Sequence, residues 1–153
     1  NYYWDDLAFS FAQTGIIFAS LIIVTGALWA KPVWGVWWTW DPKLTTTVIL
    51  WFIFSAYLLI RNLIEDKKRA ALIGAIIALL GSIDAPLIYF ASILWRTAHP
   101  ELNIGPLADE ENSGLPSSML LTFFISLLAH TFLFIILVRM RLGVKKLERL
   151  TYE

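Results

Sequence analysis

The stretch SSMLLTFFISLLAHTFLFIILV, residues 117–138, contains no Asp, Glu, Lys or Arg. A helix of about 20 apolar residues crosses the hydrocarbon core of a bilayer, so this stretch is long enough to span it. Residues 7–30 and 44–60 have the same character, and residues 70–95 are equally apolar except for a single acid, Asp84. Backbone groups in lipid must satisfy one another, and all four stretches are therefore predicted to be helices.

Composition supports the same fold class for the whole chain. Of its 153 residues 58% are hydrophobic and the mean hydropathy is +0.67, which is unlike a soluble domain. We predict an all-α, integral membrane helical bundle with four transmembrane helices, in one domain over residues 1–153. The formal net charge is zero, and we expect a lipid bilayer and no nucleic acid as its surroundings.

Basic residues are unevenly distributed between the two sides of the predicted bundle. Two segments, residues 61–69 and 139–149, hold nine of the twelve Lys and Arg residues. The positive-inside rule places both segments, and with them both ends of the chain, in the cytoplasm. The loops at residues 31–43 and 96–116 are then external, which in a bacterial-type inner membrane means periplasmic.

The first external loop is unusually rich in tryptophan. Residues 34–43 read WGVWWTWDPK, with indoles at Trp34, Trp37, Trp38 and Trp40. An aromatic belt at the headgroup level places tryptophans singly and accounts poorly for four in one loop. Indole is a large, flat, apolar surface, so the cluster favours a platform for a large, flat, apolar ligand.

One of the two histidines, His99, is expected on the same side as this platform. Imidazole is a good axial ligand for haem iron, and haem is a flat apolar disc with two carboxylates. Lys43 and Arg96, together with Lys31, are external cations that can pair with those carboxylates. The sequence contains no cysteine, so a metal here takes nitrogen or oxygen ligands.

The tryptophan loop resembles the "WWD" signature of the haem-handling proteins of cytochrome c biogenesis. Its continuation from Asp41 through Leu44 to Thr45 resembles the cytochrome c maturation protein C (CcmC) branch, whereas the larger haem lyases usually carry glutamate at the position of Leu44. Trp95-x-Thr97-x-His99 is similar to the same branch. The resemblance covers nearly the whole chain.

By this resemblance the chain would bind haem (haem b) at the external face and deliver it to a haem chaperone for cytochrome c maturation, without being an enzyme. It implies ABC-type transporter subunits and a small membrane subunit as partners. His99 would be an axial iron ligand, and the remaining site residues would be Trp34, Trp37, Trp38, Trp40, Asp41, Lys43 and Arg96.

Members of that branch have six spans and a second external axial histidine, both of which this sequence lacks. We therefore expect that the first two helices are absent and that the chain is incomplete at its N-terminus. Two alternatives remain: a haem lyase that attaches haem to apocytochrome c, and a membrane anchor with a b-type haem inside the bundle.

Two ionisable residues, Asp84 and His130, lie within predicted spans at similar depth. Such groups seek partners, so we expect both to face the bundle interior, hydrogen-bonded to each other. A pathway for haem or protons, and an internal haem ligand at His130, are the functional alternatives.

Local signals predict how the helices begin, end and pack. Lys31-Pro32 is expected to stop the first span, and the spacing of the tryptophans is compatible with a short surface helix over residues 34–41. Asp41 is expected to cap the second span, with Pro42 in its first turn. Pro86 is expected to kink the third span. Small residues on that span predict close helix packing: Ala71, Gly74, Ala75, Ala78 and Ser82.

Overall fold

The computed structural model of the chain describes residues 2–95, residue 99 and residues 116–152. These residues form four helices and no strand, which confirms the predicted all-α class. The helices are α1 (Tyr2–Trp34), α2 (Pro42–Leu63), α3 (Lys67–Leu94) and α4 (Ser117–Tyr152).

Each of the four helices is long and apolar enough to cross a membrane. Their most apolar windows have mean hydropathies between 1.7 and 2.5. The protein is therefore a multi-pass membrane helical bundle. With 36 residues, α4 is about 54 Å long, well beyond the roughly 30 Å of the hydrocarbon core.

The end of α1 differs from the prediction. Pro32 lies inside the helix, which continues to Trp34, so the expectation that Lys31-Pro32 stops it was wrong. Transmembrane helices tolerate proline because neighbouring groups compensate for the lost hydrogen bond. Gly35 ends the helix instead, with φ of +77° in the left-handed region. Its N–H donates to the Lys31 carbonyl at 3.0 Å.

The loop after Gly35 is not a helix, so the expected surface helix was also wrong. Asp41 ends this loop as the N-cap of α2, and Pro42 occupies the first turn, as predicted. The Leu44 N–H donates to Asp41 Oδ1 at 2.8 Å. Asp66 caps α3 in the same way, accepting from the N–H groups of Lys68 and Arg69.

Helices α2 and α3 form a closely packed hairpin. A Cβ added at Gly74 would lie 2.9 Å from Arg61 Cδ, and one at Gly81 would lie 2.7 Å from Phe54 Cε2. The absence of side chains therefore sets how closely these helices approach. The predicted packing face is confirmed at Gly74, whereas Gly81 was not predicted.

Other members of the predicted packing face lie elsewhere. Ala75 and Ser82 are exposed, and the Ser82 hydroxyl donates to the Ala78 carbonyl within α3. Pro86 is also exposed and lies inside α3, which continues as helix to Leu94. The buried face of α3 instead combines small residues with one acid: Ala70, Gly74, Gly81, Asp84 and Ala91.

The chain divides into two compact units, and the boundary falls within α1. In the unit formed by residues 2–14 and 116–152, the Lys145 ammonium lies 4.5 Å from the ring centroid of Phe9. In the unit formed by residues 15–95 and 99, the Trp51 indole N–H donates to Ser20 Oγ at 2.8 Å and joins α1 to α2.

Asp84 and His130 belong to different units. Asp84 is buried, as expected, and its Oδ2 has no hydrogen-bond partner among the described residues. His130 is exposed, contrary to expectation, and its Nδ1 lies 2.7 Å from the Ser126 carbonyl oxygen. The hydrogen bond between Asp84 and His130 stays a prediction.

Candidate functional site

The tryptophan loop, residues 34–43, and His99 come together at one end of the α2–α3 hairpin. His99 Nδ1 lies 2.9 Å from Asp41 Oδ2, although 58 residues separate the two in sequence. The imidazole also meets the indole of Trp34 edge to face, with ring centroids 5.2 Å apart and an interplanar angle of 80°. His99 is therefore in direct contact with both ends of the tryptophan loop.

The partner of Nδ1 determines which ring nitrogen carries the lone pair. Because an ionised carboxylate only accepts hydrogen bonds, the contact with Asp41 Oδ2 favours the His99 tautomer with the proton on Nδ1. In the neutral ring Nε2 then carries the lone pair and is the nitrogen that can bind a metal. Histidines that ligate metals typically donate their other N–H to a carboxylate, carbonyl or water in this way.

Burial differs between the two partners. The Asp41 side chain is 8% exposed and that of His99 is 21% exposed, so the hydrogen bond between them is largely shielded from water. Both Asp41 oxygens are engaged, one by Leu44 and one by His99. Asp41 was predicted to belong to the ligand platform, and this stays a prediction; the structure places its carboxylate against His99 Nδ1.

The tryptophans divide into exposed and half-buried members. Trp37 and Trp40 are 56% and 76% exposed, whereas Trp34 and Trp38 are half-buried. Trp38 meets Trp40 edge to face at 5.7 Å between centroids. Trp29 extends the aromatic row, since it lies 5.4 Å from Trp34, and sequence reasoning had not included it. The loop therefore exposes indole surface at Trp37 and Trp40, and Trp40 packs against Trp38.

The cations near the loop have different surroundings. Lys31 donates to the Gly35 carbonyl at 2.9 Å, and its ammonium lies 5.9 Å from the centroid of the Trp37 ring. Lys43 is in the first turn of α2 and is partly exposed. Arg96, the third predicted cation, lies outside the described residues. Lys31 and Lys43 thus place positive charge on both sides of the tryptophans in sequence.

Two polar groups of the loop are buried without a hydrogen-bond partner among the described residues. They are the indole N–H of Trp38 and the hydroxyl of Thr39. Buried polar groups in folded proteins are nearly always paired.

The site fits a metal that brings most of its own ligands. Within residues 2–95, 99 and 116–152, no three His, Cys, Asp or Glu side chains are grouped to hold a metal ion. A single imidazole beside flat apolar rings suits an iron already held in a macrocycle, as in haem. His99 Nε2, the exposed indoles and the nearby ammonium groups match the metal, the ring and the carboxylates of such a ligand.

Comparison with known proteins gives a consistent result. The family model "CcmC: Heme exporter protein C" matches residues 4–152. Heme exporter protein C of Bradyrhizobium diazoefficiens is 32% identical over 133 residues, which cover 87% of this chain and 49% of that protein. The Haemophilus influenzae protein of that name is 31% identical over 135 residues, 88% of this chain and 54% of its own length.

The Escherichia coli K12 relative, with the same name, is 33% identical over 88 residues, which cover 58% of this chain and 36% of that protein. The chain thus spans about half or less of the length of these curated relatives. The family match nevertheless extends over nearly all of the chain and includes the tryptophan loop, Asp41 and His99. The chain belongs to the heme exporter protein C (CcmC) family.

Proposed function

We propose that the chain binds haem at the external membrane face and delivers it to a haem chaperone for cytochrome c maturation. The observation that carries the proposal is the contact of His99 with Asp41 and Trp34, which brings an imidazole to the tryptophan loop. The names of the relatives, heme exporter protein C, support haem as the cargo.

Each part of the site has a role in this proposal. His99 Nε2 binds the iron, and Trp37 and Trp40 cover the porphyrin with their exposed indoles. Lys31 and Lys43 neutralise the haem carboxylates. A cargo that must be passed on needs an accessible edge, and a loop between two helices leaves that edge open to the next protein.

The membrane setting and partners complete the proposal. The distribution of Lys and Arg supports a bacterial inner membrane orientation with the tryptophan loop and His99 in the periplasm. The sequence has no Gly-rich phosphate-binding motif, so nucleotide hydrolysis belongs to ABC-type subunits acting with a small membrane subunit. The chain itself binds and transfers haem without catalysing a covalent step.

Two single variants test the iron ligand. His99→Ala should reduce the haem that copurifies with the protein by at least about tenfold, because it removes the axial bond. His130→Ala should retain haem, since His130 lies within α4 with its Nδ1 at the Ser126 carbonyl. Absorption spectra and haem quantitation of the purified proteins measure both. Equal retention by the two variants would overturn the external site.

Handover is tested with the purified haem-loaded protein and the haem chaperone. Replacing Trp37 and Trp40 with Leu should slow or abolish transfer, because both indoles are exposed on the loop. Trp4→Leu is the matched control, since Trp4 is a 63% exposed tryptophan near the start of α1. If the chain alone joined haem to apocytochrome thiols, the haem lyase alternative would replace the proposal.

A further inference from the structure

We infer that Asp41 is a positioning residue: it holds His99 with Nδ1 protonated and Nε2 facing the iron, and does not itself contact haem. This inference rests on the proposed function and assigns a role within the same site. The Asp41 carboxylate makes hydrogen-bond contacts with both the N-terminus of α2 and the His99 imidazole.

The geometry leaves Asp41 little capacity for a direct ligand contact. Oδ1 accepts from the Leu44 N–H at 2.8 Å, and Oδ2 lies 2.9 Å from His99 Nδ1. The side chain is only 8% exposed. If the Asp41 carboxylate touched haem, its negative charge would also repel the haem carboxylates. A carboxylate on the far side of the imidazole from the iron instead attracts the positive charge of the iron.

The cap makes Asp41 a fixed anchor. Its backbone is extended, with φ of −75° and ψ of 161°, and Pro42 follows it in the first turn of α2. The residue before a proline is restricted to this extended region. Since the helix N-terminus fixes the carboxylate, the direction of the His99 hydrogen bond is fixed as well.

The same hydrogen bond changes the basicity of the His99 imidazole as an iron ligand. A carboxylate that accepts from the second ring nitrogen makes imidazole a more basic ligand and fixes its orientation. A more basic axial ligand stabilises the ferric state, so Asp41 should lower the reduction potential of bound haem. Asp41 thereby selects the nitrogen that binds and biases bound haem toward the ferric state.

Asp41→Asn separates the cap from the positioning role. Asparagine caps helices about as well as aspartate, so α2 should keep its N-terminus. Its single carbonyl oxygen is then used by the Leu44 N–H, and its amide group, which can only donate, faces His99 Nδ1. The variant should therefore favour protonation at Nε2, which blocks iron binding by that nitrogen.

Asp66→Asn is the matched control. Asp66 caps α3 by accepting from Lys68 and Arg69 N–H groups, and its described ion pair is with Arg69 rather than with a histidine. The Asp66→Asn variant should leave the protonation of the His99 ring and the affinity for haem unchanged. Any general effect of replacing an aspartate cap by asparagine would appear in both variants.

The first measurement needs no haem. Nitrogen-15 spectra of histidine-labelled, haem-free chain in nanodiscs at mildly alkaline pH report which ring nitrogen is protonated. The sequence has two histidines, so His130→Gln assigns the His99 signals. The unmodified chain should show protonated Nδ1, and Asp41→Asn should show protonated Nε2. Unchanged signals in Asp41→Asn would overturn the inference.

The second measurement uses haem. Asp41→Asn should raise the apparent Kd for haem about 10–100-fold, the range found for such supporting residues, and shift the potential of any bound haem upward. In a His99→Ala background the same change should have no further effect. A further loss there would indicate direct contact of Asp41 with haem and would also overturn the inference.

Failure of the two proposals can be distinguished. If His99→Ala retains haem, the proposed function fails, whatever the nitrogen-15 spectra show. If His99→Ala loses haem while Asp41→Asn behaves as the unmodified chain in both measurements, the proposed function stands and the positioning role of Asp41 is wrong.

Discussion

The indole of Trp34 and the imidazole of His99 meet edge to face, with their centroids 5.2 Å apart. Trp34 is the last residue of α1, and His99 follows α3. Their contact therefore ties the end of one membrane helix to a residue beyond another. The geometry of the site consequently depends on where α1 stops and how the helices pack.

Gly35 determines where α1 stops, and its replacement should weaken the site. Its φ of +77° costs a residue with Cβ about 1–2 kcal/mol, while nothing lies within 4 Å of an added Cβ. Gly35→Ala should therefore lower stability and haem affinity through backbone strain alone. Gly35→Asn should be milder, because asparagine tolerates this conformation. Thermal unfolding and haem titration of both variants test this, and equal losses would contradict it.

Gly81 controls the spacing of α2 and α3. Gly81→Ala places a Cβ 2.7 Å from Phe54 Cε2, and overpacking of this kind typically costs about 1–3 kcal/mol. Unfolding in mixed detergent measures the loss. Gly26→Ala is the control, because nothing lies within 4 Å of its Cβ, and it should be neutral or stabilising. Adding Phe54→Leu should recover part of the loss; no recovery would argue against a local clash.

The hydrogen bond between Trp51 and Ser20 should contribute measurably to the packing of α1 on α2. Ser20 Oγ accepts from the Trp51 indole at 2.8 Å while donating to the Ile16 carbonyl. Interhelical hydrogen bonds in membranes average about 0.6 kcal/mol. A double-mutant cycle with Trp51→Phe and Ser20→Ala should give a coupling of that size, and additive effects would show that the bond contributes nothing.

The orientation of the bundle can be tested by labelling, because the sequence contains no cysteine. Val36, in the tryptophan loop, is 44% exposed, and Lys68, at the start of α3, is exposed. A membrane-impermeant maleimide should label Val36→Cys in intact spheroplasts and Lys68→Cys only after permeabilisation. The reverse pattern would place the loop in the cytoplasm and remove the basis of the external site.

Hydropathy and local capping rules were sufficient to predict four helices and the start of α2. The roles of Asp41 as N-cap and of Pro42 in the first turn follow from the chemistry of these two residues alone. A short window of sequence is therefore enough to predict them. The end of α1 was missed because a proline rule derived from water-exposed helices overestimates the effect of Pro32 in a membrane span.

The composition of the loop predicted an aromatic site, and the pairing of its polar residues was not predictable. Asp41 and His99 are 58 residues apart, and no periodicity connects a loop residue after α1 with one after α3. Their contact arises from the packing of α2 on α3. That packing depends on glycines such as Gly81, which let the helices approach because they have no side chain. A single glycine of this kind produces no recognisable pattern in the sequence.

The glycine contacts between α2 and α3 have a mechanical consequence for the imidazole. Leu94 lies about 20 Å along α3 from Gly81, at a rise of 1.5 Å per residue. Pivoting α3 by about 5° at the glycine would swing that end by nearly 2 Å, more than a 2.9 Å hydrogen bond tolerates. In the proposed haem site, the angular tolerance for seating the cargo would thus be set at the middle of α3, where a single added methyl group would alter iron ligation without touching the ligand.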